Sequence, residues 1–410
     1  MSPRGVGLRS REGWRALRVL ALTSGTGGGH DARAEAFRQW VAHLYGSAVE
    51  VRIEHALENA SPWNARGVAF YNAIQRHAPW FHHLYYNLGE AFGALQGAKV
   101  RVGAAYYDAL LREFRPDVIV SVHSMLNRGH FAHAKRRLGR AVRCVTYCGE
   151  FSGGYGFSRH WVAPEADLFL GRTEEALSAA RDLGLPARKG RCLGQLLMPA
   201  FYQPPMEALE RASYLKDELG LEPDRFTVLL ATGGASAQNH ATLVRQLLAP
   251  AERLQVIALC GKSGLARARL ETWRRRHRAL ALAILPFSED MHRLLQVASA
   301  VVTRPGTTTC AEALRLGCPI VFNRIGGAMP QEHCTLRYFR ARGIAVEMRS
   351  TAQLGRILAT WIDRPLEYRR HRAQLRALRP RDDPEALIRA VIEPRYSLAD
   401  VVSQPSDQAL

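Results

Sequence analysis

The chain has 410 residues, of which 47% are hydrophobic and 23% charged. That is the make-up of a soluble globular protein with room for two domains, each with its own core. No apolar run approaches the roughly 18–20 residues that span a bilayer, and the five arginines between Met1 and Arg18 lack the continuous apolar stretch of a secretory signal. The net charge is +19, carried by 51 arginines against five lysines. Biased base composition can produce such an excess, and so can selection for a polyanionic partner. Clusters at Arg4–Arg18, Arg267–Arg278 and Arg369–Arg379 come without a zinc finger, an RNP-type aromatic strand or a helix-turn-helix, so no nucleic-acid partner is expected. An anionic membrane surface fits them better. The seven scattered cysteines, with no metal spacing, predict reduced thiols, no bound metal and a cytoplasmic protein peripheral to the inner face of a membrane.

The first predicted strand is 17–23. It runs into Ser24-Gly25-Thr26-Gly27-Gly28-Gly29-His30, after which Asp31–Phe37 reads as a helix start. A strand, a glycine turn and a helix place backbone N–H groups and a positive helix end at the carboxyl edge of a sheet, where polar ligands bind. A histidine there can accept a proton near neutral pH. Further strands are predicted at 48–54, 117–122, 142–148 and 167–170, then at 226–232, 255–260, 281–285, 299–303 and 319–323. Amphipathic helical patterns such as Ala34–Leu44 and Asn239–Leu248 lie between them. This alternation predicts an α/β protein with two parallel sheets, separated near Gly194–Pro205. The expected division is an N-terminal, membrane-facing domain over 1–200 and a C-terminal domain over 201–380. A helix at Pro384–Ile392 and a frayed polar tail beyond Ser397 would complete the chain at 381–410.

From Trp63 to Phe92 the pattern changes. Trp63, Phe70, Tyr71, Trp80, Phe81, Tyr85, Tyr86 and Phe92 are interleaved with Arg66, Arg76, His77, His82 and His83. Such a mixture suits the water–lipid boundary; the alternative is a helical pair that uses its aromatics as filler over the first core.

In the second half, Thr227–Thr232 runs into Gly233-Gly234, whose N–H groups could carry a phosphate, and Lys262 in Cys260-Gly261-Lys262-Ser263-Gly264 offers a cation near the same edge. The block Arg304-Pro305-Gly306-Thr307-Thr308-Thr309-Cys310-Ala311-Glu312 follows the strand at 299–303 and enters a helix. Its glycine and hydroxyls can hold a diphosphate, Arg304 can neutralise part of its charge, and Glu312 could accept both hydroxyls of a ribose. An N-terminal cap followed by an ordinary exposed glutamate is the simpler reading of the spacing.

Together these residues resemble glycosyltransferase family 28, in particular its monogalactosyldiacylglycerol synthase and bacterial diacylglycerol glycosyltransferase branch, with MurG-type transferases as more distant relatives. The resemblance rests on Leu22–His30, Arg115–Ser121, Gly153–Ser158, Gly233-Gly234, Pro305-Gly306-Thr307 with Ala311-Glu312-Ala313, and Pro330-Gln331-Glu332. It implies a GT-B fold, in which two Rossmann-like domains face an interdomain cleft, and an inverting transfer of a hexose from a UDP-sugar to diacylglycerol or a related lipid, with no cofactor. In that reading Glu312 meets the ribose, and Gly233, Gly234, Gly306 and Thr307 meet the diphosphate. Gln331 and Glu332 meet the hexose, and Phe287 lies against the uracil. His30, oriented by Glu150, is the base, beside an acceptor loop at Gly27, Gly28 and Gly29.

The chain departs from the family where Gly149-Glu150-Phe151 replaces Thr-Asp before the phenylalanine, and where Thr307-Thr308-Thr309 replaces a glycine-containing turn. Rival readings are a MurG-like transfer to a polyprenyl-linked sugar, a sugar-nucleotide epimerase, a binding module on a degenerate scaffold, and a nicotinamide-dependent dehydrogenase. The dehydrogenase would use Gly25-x-Gly27 with Glu54 on the ribose, but His30 occupies the place of its third glycine.

Overall fold

The structure is a computed structural model that describes residues 15–77, 81–95, 103–232 and 239–393. Gly233, Gly234, Trp80 and the tail beyond Ser397 lie outside the described residues.

The first sheet is laid down by β1 (Leu17–Thr23), α1 (Gly29–Tyr45), β2 (Val49–His55), α2 (Pro62–His77), α3 (His82–Leu95), α4 (Ala104–Phe114), β3 (Val118–Ser121), α5 (Arg128–Leu138), β4 (Arg143–Cys148), β5 (Leu168–Gly171), α6 (Glu174–Asp182) and β6 (Gly190–Cys192). The second follows with α7 (Ala208–Ser213), β7 (Phe226–Leu230), α8 (His240–Arg245), β8 (Leu254–Leu259), α9 (Gly264–Arg276), β9 (Leu282–Leu285), α10 (Met291–Val297), β10 (Ala300–Thr303), α11 (Thr307–Leu316), β11 (Ile320–Asn323), α12 (Glu332–Ala341) and β12 (Val346–Met348). Helices α13 (Thr351–Asp363), α14 (Pro365–Ala377) and α15 (Pro384–Ile392) end the described chain.

Every pairing is parallel, in the orders β2-β1-β3-β4-β5-β6 and β12-β11-β10-β7-β8-β9. Buried parallel strands read as continuous apolar runs, which is why ten of them were legible. The two that were not, β6 and β12, are three-residue edge strands. In each sheet the order reverses at one place, between β1 and β3 and between β7 and β10. Loops diverge there, which opens a crevice at the carboxyl ends of the strands.

Each sheet is covered on both faces. Phe37 and Val41 of α1 pack on one face of the first, and Leu110, Leu111 and Phe131 on the other. The second sheet is buried between Leu243, Leu270 and Leu358 on one side and Leu294, Leu314 and Phe339 on the other. Helix α15 returns to the first domain, where Leu387, Ile388 and Val391 join the cluster of Val19 and Phe37. Of the stretch expected to end the chain at 381–410, the described helix therefore belongs to the first domain, its apolar face completing that core. The two crossings of the chain lie side by side, with Gln195 N donating to Asp382 Oδ1 at 2.8 Å.

The aromatic segment forms α2 and α3. Trp63 and Phe70 are 76% and 61% exposed, and Leu84 and Leu88 are also exposed, so they are not filler over the core. The Arg66 guanidinium lies 5.0 Å from the Trp63 ring centroid. Among the described residues no helix is long and apolar enough to cross a membrane.

Candidate active site

The turn between β1 and α1 needs glycine. Gly27 and Gly28 have φ of 76° and 77°, the left-handed region that other residues rarely adopt. The structure shows that this turn holds a carboxylate of its own: Glu58 Oε1 accepts the Gly25 amide and, at 2.9 Å, the Ser24 hydroxyl. Asn72 Oδ1 accepts the Gly27 amide at 3.0 Å. Two of the N–H groups that the sequence offered to an anion, those of Gly25 and Gly27, are thus bonded within the domain. Gly29, at the start of α1, faces the second domain, and a Cβ there would lie 2.9 Å from Thr308 Oγ1.

His30 stands at the first switch point. Its Nδ1 is 2.7 Å from the carbonyl oxygen of Val122, the residue after β3, and its ring centroid is 4.3 Å from that of His123. A carbonyl only accepts and a guanidinium only donates, so Nδ1 bonds either Val122 O or Arg33 Nη2, 2.6 Å away, and not both; with Val122 as its partner the ring proton is on Nδ1 and the lone pair on Nε2. Burial, His123 and Arg33 hold the imidazole well below its usual range, so it is neutral at pH 7. His123, whose Nε2 contacts Thr26 Oγ1 at 3.1 Å, is pushed down to about 3 by burial first and then by Arg33.

Glu150 does not orient His30, contrary to the sequence expectation; the Val122 carbonyl does. Glu150 is 7% exposed, and burial raises it to about 7 against the opposing pull of Arg33, Arg172 and a hydrogen bond from Trp161. Its Oε2 has no hydrogen-bond partner.

Helix α11 begins at the second switch point, capped by Gly306 in an extended conformation. Glu312, one and a half turns in, is not the exposed glutamate of the simpler reading. Burial raises it to about 7, opposed by Arg172. It faces the first domain across a cavity of about 10 Å³ lined by Arg33, Arg172, Leu197 and Thr308. That is room for about one water, so a ribose enters beside Glu312 only after the domain faces part, and is held there when they close over it.

The N-terminal turns of α1 and α11 meet here: Thr308 Oγ1 donates to Gly29 O at 3.3 Å. Two arginines absent from the sequence reading lie in this seam. Arg33 Nη1 donates to Thr307 Oγ1 at 3.0 Å and its Nη2 lies 2.6 Å from His30 Nδ1. Arg172 Nη1 donates to Thr307 O at 2.7 Å, its guanidinium lying 4.8 Å from the Phe151 ring centroid. Arg33 had a signal, its position three residues beyond His30 on one helix face. Arg172 stood just past a strand end, where only the sheet order brings it to the cleft.

Other expected donor residues are placed differently. Arg304 and Glu332 are bonded to each other, through Nε–Oε1 at 2.8 Å and Nη2–Oε2 at 2.6 Å, and Glu332 Oε2 also accepts Met329 N. A charge-assisted fork buried this deeply holds both partners, so Arg304 neutralises Glu332 rather than standing free for a diphosphate, and Glu332 is not free for a hexose. The pair shapes the loop before α12. Gln331 Nε2 donates to the Tyr71 hydroxyl of α2 at 2.8 Å, across the domain boundary. Lys262 is exposed after β8 and acts electrostatically on Asp31 of α1. Phe287 is 54% exposed on the loop between β9 and α10. Glu54 accepts from Asn59 Nδ2 at 2.7 Å and from the Tyr106 hydroxyl at 2.6 Å, so it is not the free ribose acceptor of a dehydrogenase. Among the described residues no three histidine, cysteine, aspartate or glutamate side chains converge on a metal position.

The closed seam extends beyond α1 and α11. Phe151 of the first domain packs on Tyr338 and Phe339, with ring centroids 5.0 and 5.5 Å apart. Gly156, at φ 97°, brings its Cα so near Pro330 that a Cβ would lie 1.8 Å from the carbonyl oxygen.

Comparison with known proteins agrees with this architecture. The family model described as monogalactosyldiacylglycerol (MGDG) synthase matches residues 30–194, and that of the glycosyltransferase family 28 C-terminal domain matches residues 227–323. Among curated relatives, monogalactosyldiacylglycerol synthase 1, chloroplastic, of Arabidopsis thaliana is 23% identical over 376 residues, covering 87% of this chain and 67% of that protein. Among solved structures, Acinetobacter baumannii MurG superposes with a TM-score of 0.55 at 13% identity, covering 92% of this chain and 99% of that one. The S. aureus MnaA–UDP co-structure gives 0.58 at 15%, covering 96% and 100%. With the two models matching successive domains that together take in well over half of the chain, on a GT-B fold, the protein belongs to glycosyltransferase family 28, in its monogalactosyldiacylglycerol synthase branch.

Proposed function

We propose that the protein is an inverting glycosyltransferase that moves a hexose from a UDP-sugar to the hydroxyl of diacylglycerol or a closely related lipid. The observation that carries this reading is the placement of His30. Its neutral imidazole, proton on Nδ1 toward Val122, stands at one switch point, one guanidinium away from the helix N-terminus at the other. Nε2 takes the acceptor hydroxyl's proton as that oxygen attacks the anomeric carbon. The bond from that carbon to the UDP oxygen breaks on the opposite face, and UDP leaves with the electron pair. Glu312 accepts the ribose hydroxyls, and Gly233, Gly234, Gly306 and Thr307 receive the diphosphate.

The names of the curated relatives support a diacylglycerol acceptor, and the UDP complex among the structural neighbours supports the donor. Exposed Trp63, Phe70, Leu84 and Leu88 beside Arg66 suit a lipid surface, with an anionic inner leaflet as the partner. The test is incubation with a panel of UDP-sugars and diacylglycerol vesicles, read by lipid mass spectrometry. A lipid gaining one hexose is the expected product. Hexose appearing on a polyprenyl-linked sugar and never on diacylglycerol would overturn the acceptor assignment.

A further inference from the structure

We infer that Arg33 and Arg172 form, with the N-terminus of α11, a diphosphate clamp built from both domains, so that two cations of the first domain neutralise the leaving group bound to the second. The inference rests on the donor reading above and adds to it residues that the glycine turns alone do not supply.

The side chains are deeply buried, Arg33 at 3% and Arg172 at 1% exposure. Buried arginines are ordinarily paired with a carboxylate, and these are not. Glu150 and Glu312 are their acidic neighbours, yet neither carboxylate makes a hydrogen bond or an ion pair with either guanidinium among the described residues. Each arginine instead donates once to Thr307, the first residue of α11. Arg33 Nε and Arg172 Nε and Nη2 have no partner at hydrogen-bonding geometry, although the Tyr147 hydroxyl is a looser neighbour of Arg172.

The backbone adds to the same field. The positive ends of α1 and α11 meet at the Gly29–Thr308 contact. Two helix dipoles and two guanidiniums with unused N–H groups around one threonine favour a compact ligand with several negative oxygens, and a diphosphate is that ligand. Gly149 makes the arrangement possible: a Cβ there would lie 2.5 Å from Arg33 Nη1. Because the cations and α11 belong to different domains, the clamp is complete only when the domains close, which joins donor binding to assembly of the site.

Calorimetric titration of the full chain with UDP, uridine and inorganic pyrophosphate tests this, in the wild type, Arg172→Gln and Arg172→Lys. Arg172 is the better probe because Arg33 also touches His30. Removing charge-assisted hydrogen bonds should weaken UDP and pyrophosphate by about 10- to 100-fold, with uridine changed by less than about threefold and partial rescue by lysine. Equal losses for UDP and uridine would overturn the clamp, since they would report a shifted domain rather than a lost anion site. Unchanged UDP affinity in Arg172→Gln would overturn it too, while leaving the donor reading intact. Pyrophosphate binding that depends on Arg172, in a wild type that does not prefer UDP to pyrophosphate, would support the clamp and remove the donor reading.

Discussion

The Nδ1 of His30 lies 2.7 Å from the carbonyl oxygen of Val122, which closes the gap between the strand β1 that leads to the histidine and its neighbour β3. With that bond made, the ring proton sits on Nδ1 and Nε2 is the basic atom. Burial first, then His123 and Arg33, keep the ring from being protonated in the mildly acid range. His30→Ala should lower kcat by about two to four orders of magnitude, the usual effect of losing a general base, with a far smaller change in UDP affinity by calorimetry, through the neighbouring Arg33. The acid limb of kcat/KM belonging to this base should fall below pH 6.5, because a lowered pKa keeps the neutral form available to lower pH. An acid limb set by His30 above pH 6.5, moving with its substitution, would contradict the geometry.

Glu312 carries the opposite shift. Its folded value of about 7 exceeds the ordinary 4.5 of a glutamate, so between those values the folded state binds more protons than the unfolded one. Stability from this group is then present below about pH 4.5, is lost as pH rises, and is gone above about 7. Glu312→Gln, which cannot ionise, should therefore stabilise the protein at pH 8 by on the order of 1–3 kcal/mol and add little at pH 4.5. Thermal unfolding at the two pH values measures this. In the proposed donor site the same side chain faces the ribose, so Glu312→Ala should weaken uridine by about 5- to 30-fold. It should not further weaken 2′,3′-dideoxyuridine, which has no hydroxyls to lose.

These sites were unequally legible in the sequence. The ten longer strands, the helix at Pro384–Ile392 and the two turns that open α1 and α11 were all readable, because buried parallel strands and glycine before a helix leave local marks. The partners were not. Nothing near Arg304 in sequence says that Glu332, 28 residues on, will hold it in a fork. Nothing near Gly25 says that Glu58 will take its amide. The return of α15 to the first core and the meeting of Arg172 with Thr307 depend on how two domains close, which no periodicity encodes. Local conformation came from local residues; charge pairing came from topology.

Gly156 offers a test of closure that leaves the chemistry untouched. Its φ of 97° and the 1.8 Å separation between a would-be Cβ and the Pro330 carbonyl oxygen mean that Gly156→Ala must move one domain face from the other. The side chains that cover the centre of each sheet, such as Phe37 and Leu314, are not in this contact, so both sheets should stay intact. A displacement of about 1 Å between His30 and the donor costs up to 10²-fold in rate, so kcat should fall by more than about tenfold with little change in far-ultraviolet circular dichroism. Scattering should show a less compact particle. Wild-type turnover in Gly156→Ala would mean that the seam seen here is not the reactive arrangement.

The exposed face of α2 and α3 makes the last prediction. Trp63 and Phe70 are far more exposed than the core aromatics Phe37, Phe131 and Tyr147, and Arg66 lies over Trp63, where it can reach anionic headgroups while the indole enters the lipid boundary. Burying a large apolar side chain is worth about 1.5–3 kcal/mol, so Trp63→Ala with Phe70→Ala should reduce partitioning onto anionic vesicles by at least about tenfold. The loss should persist at high salt, because it removes apolar contact. Arg66→Glu should instead weaken binding at low salt and matter less as salt rises, because screening acts on charge and not on burial. Flotation of each variant at two ionic strengths separates the effects. If the double variant floats as the wild type does, these two helices do not meet the membrane, and the exposed aromatics need another partner.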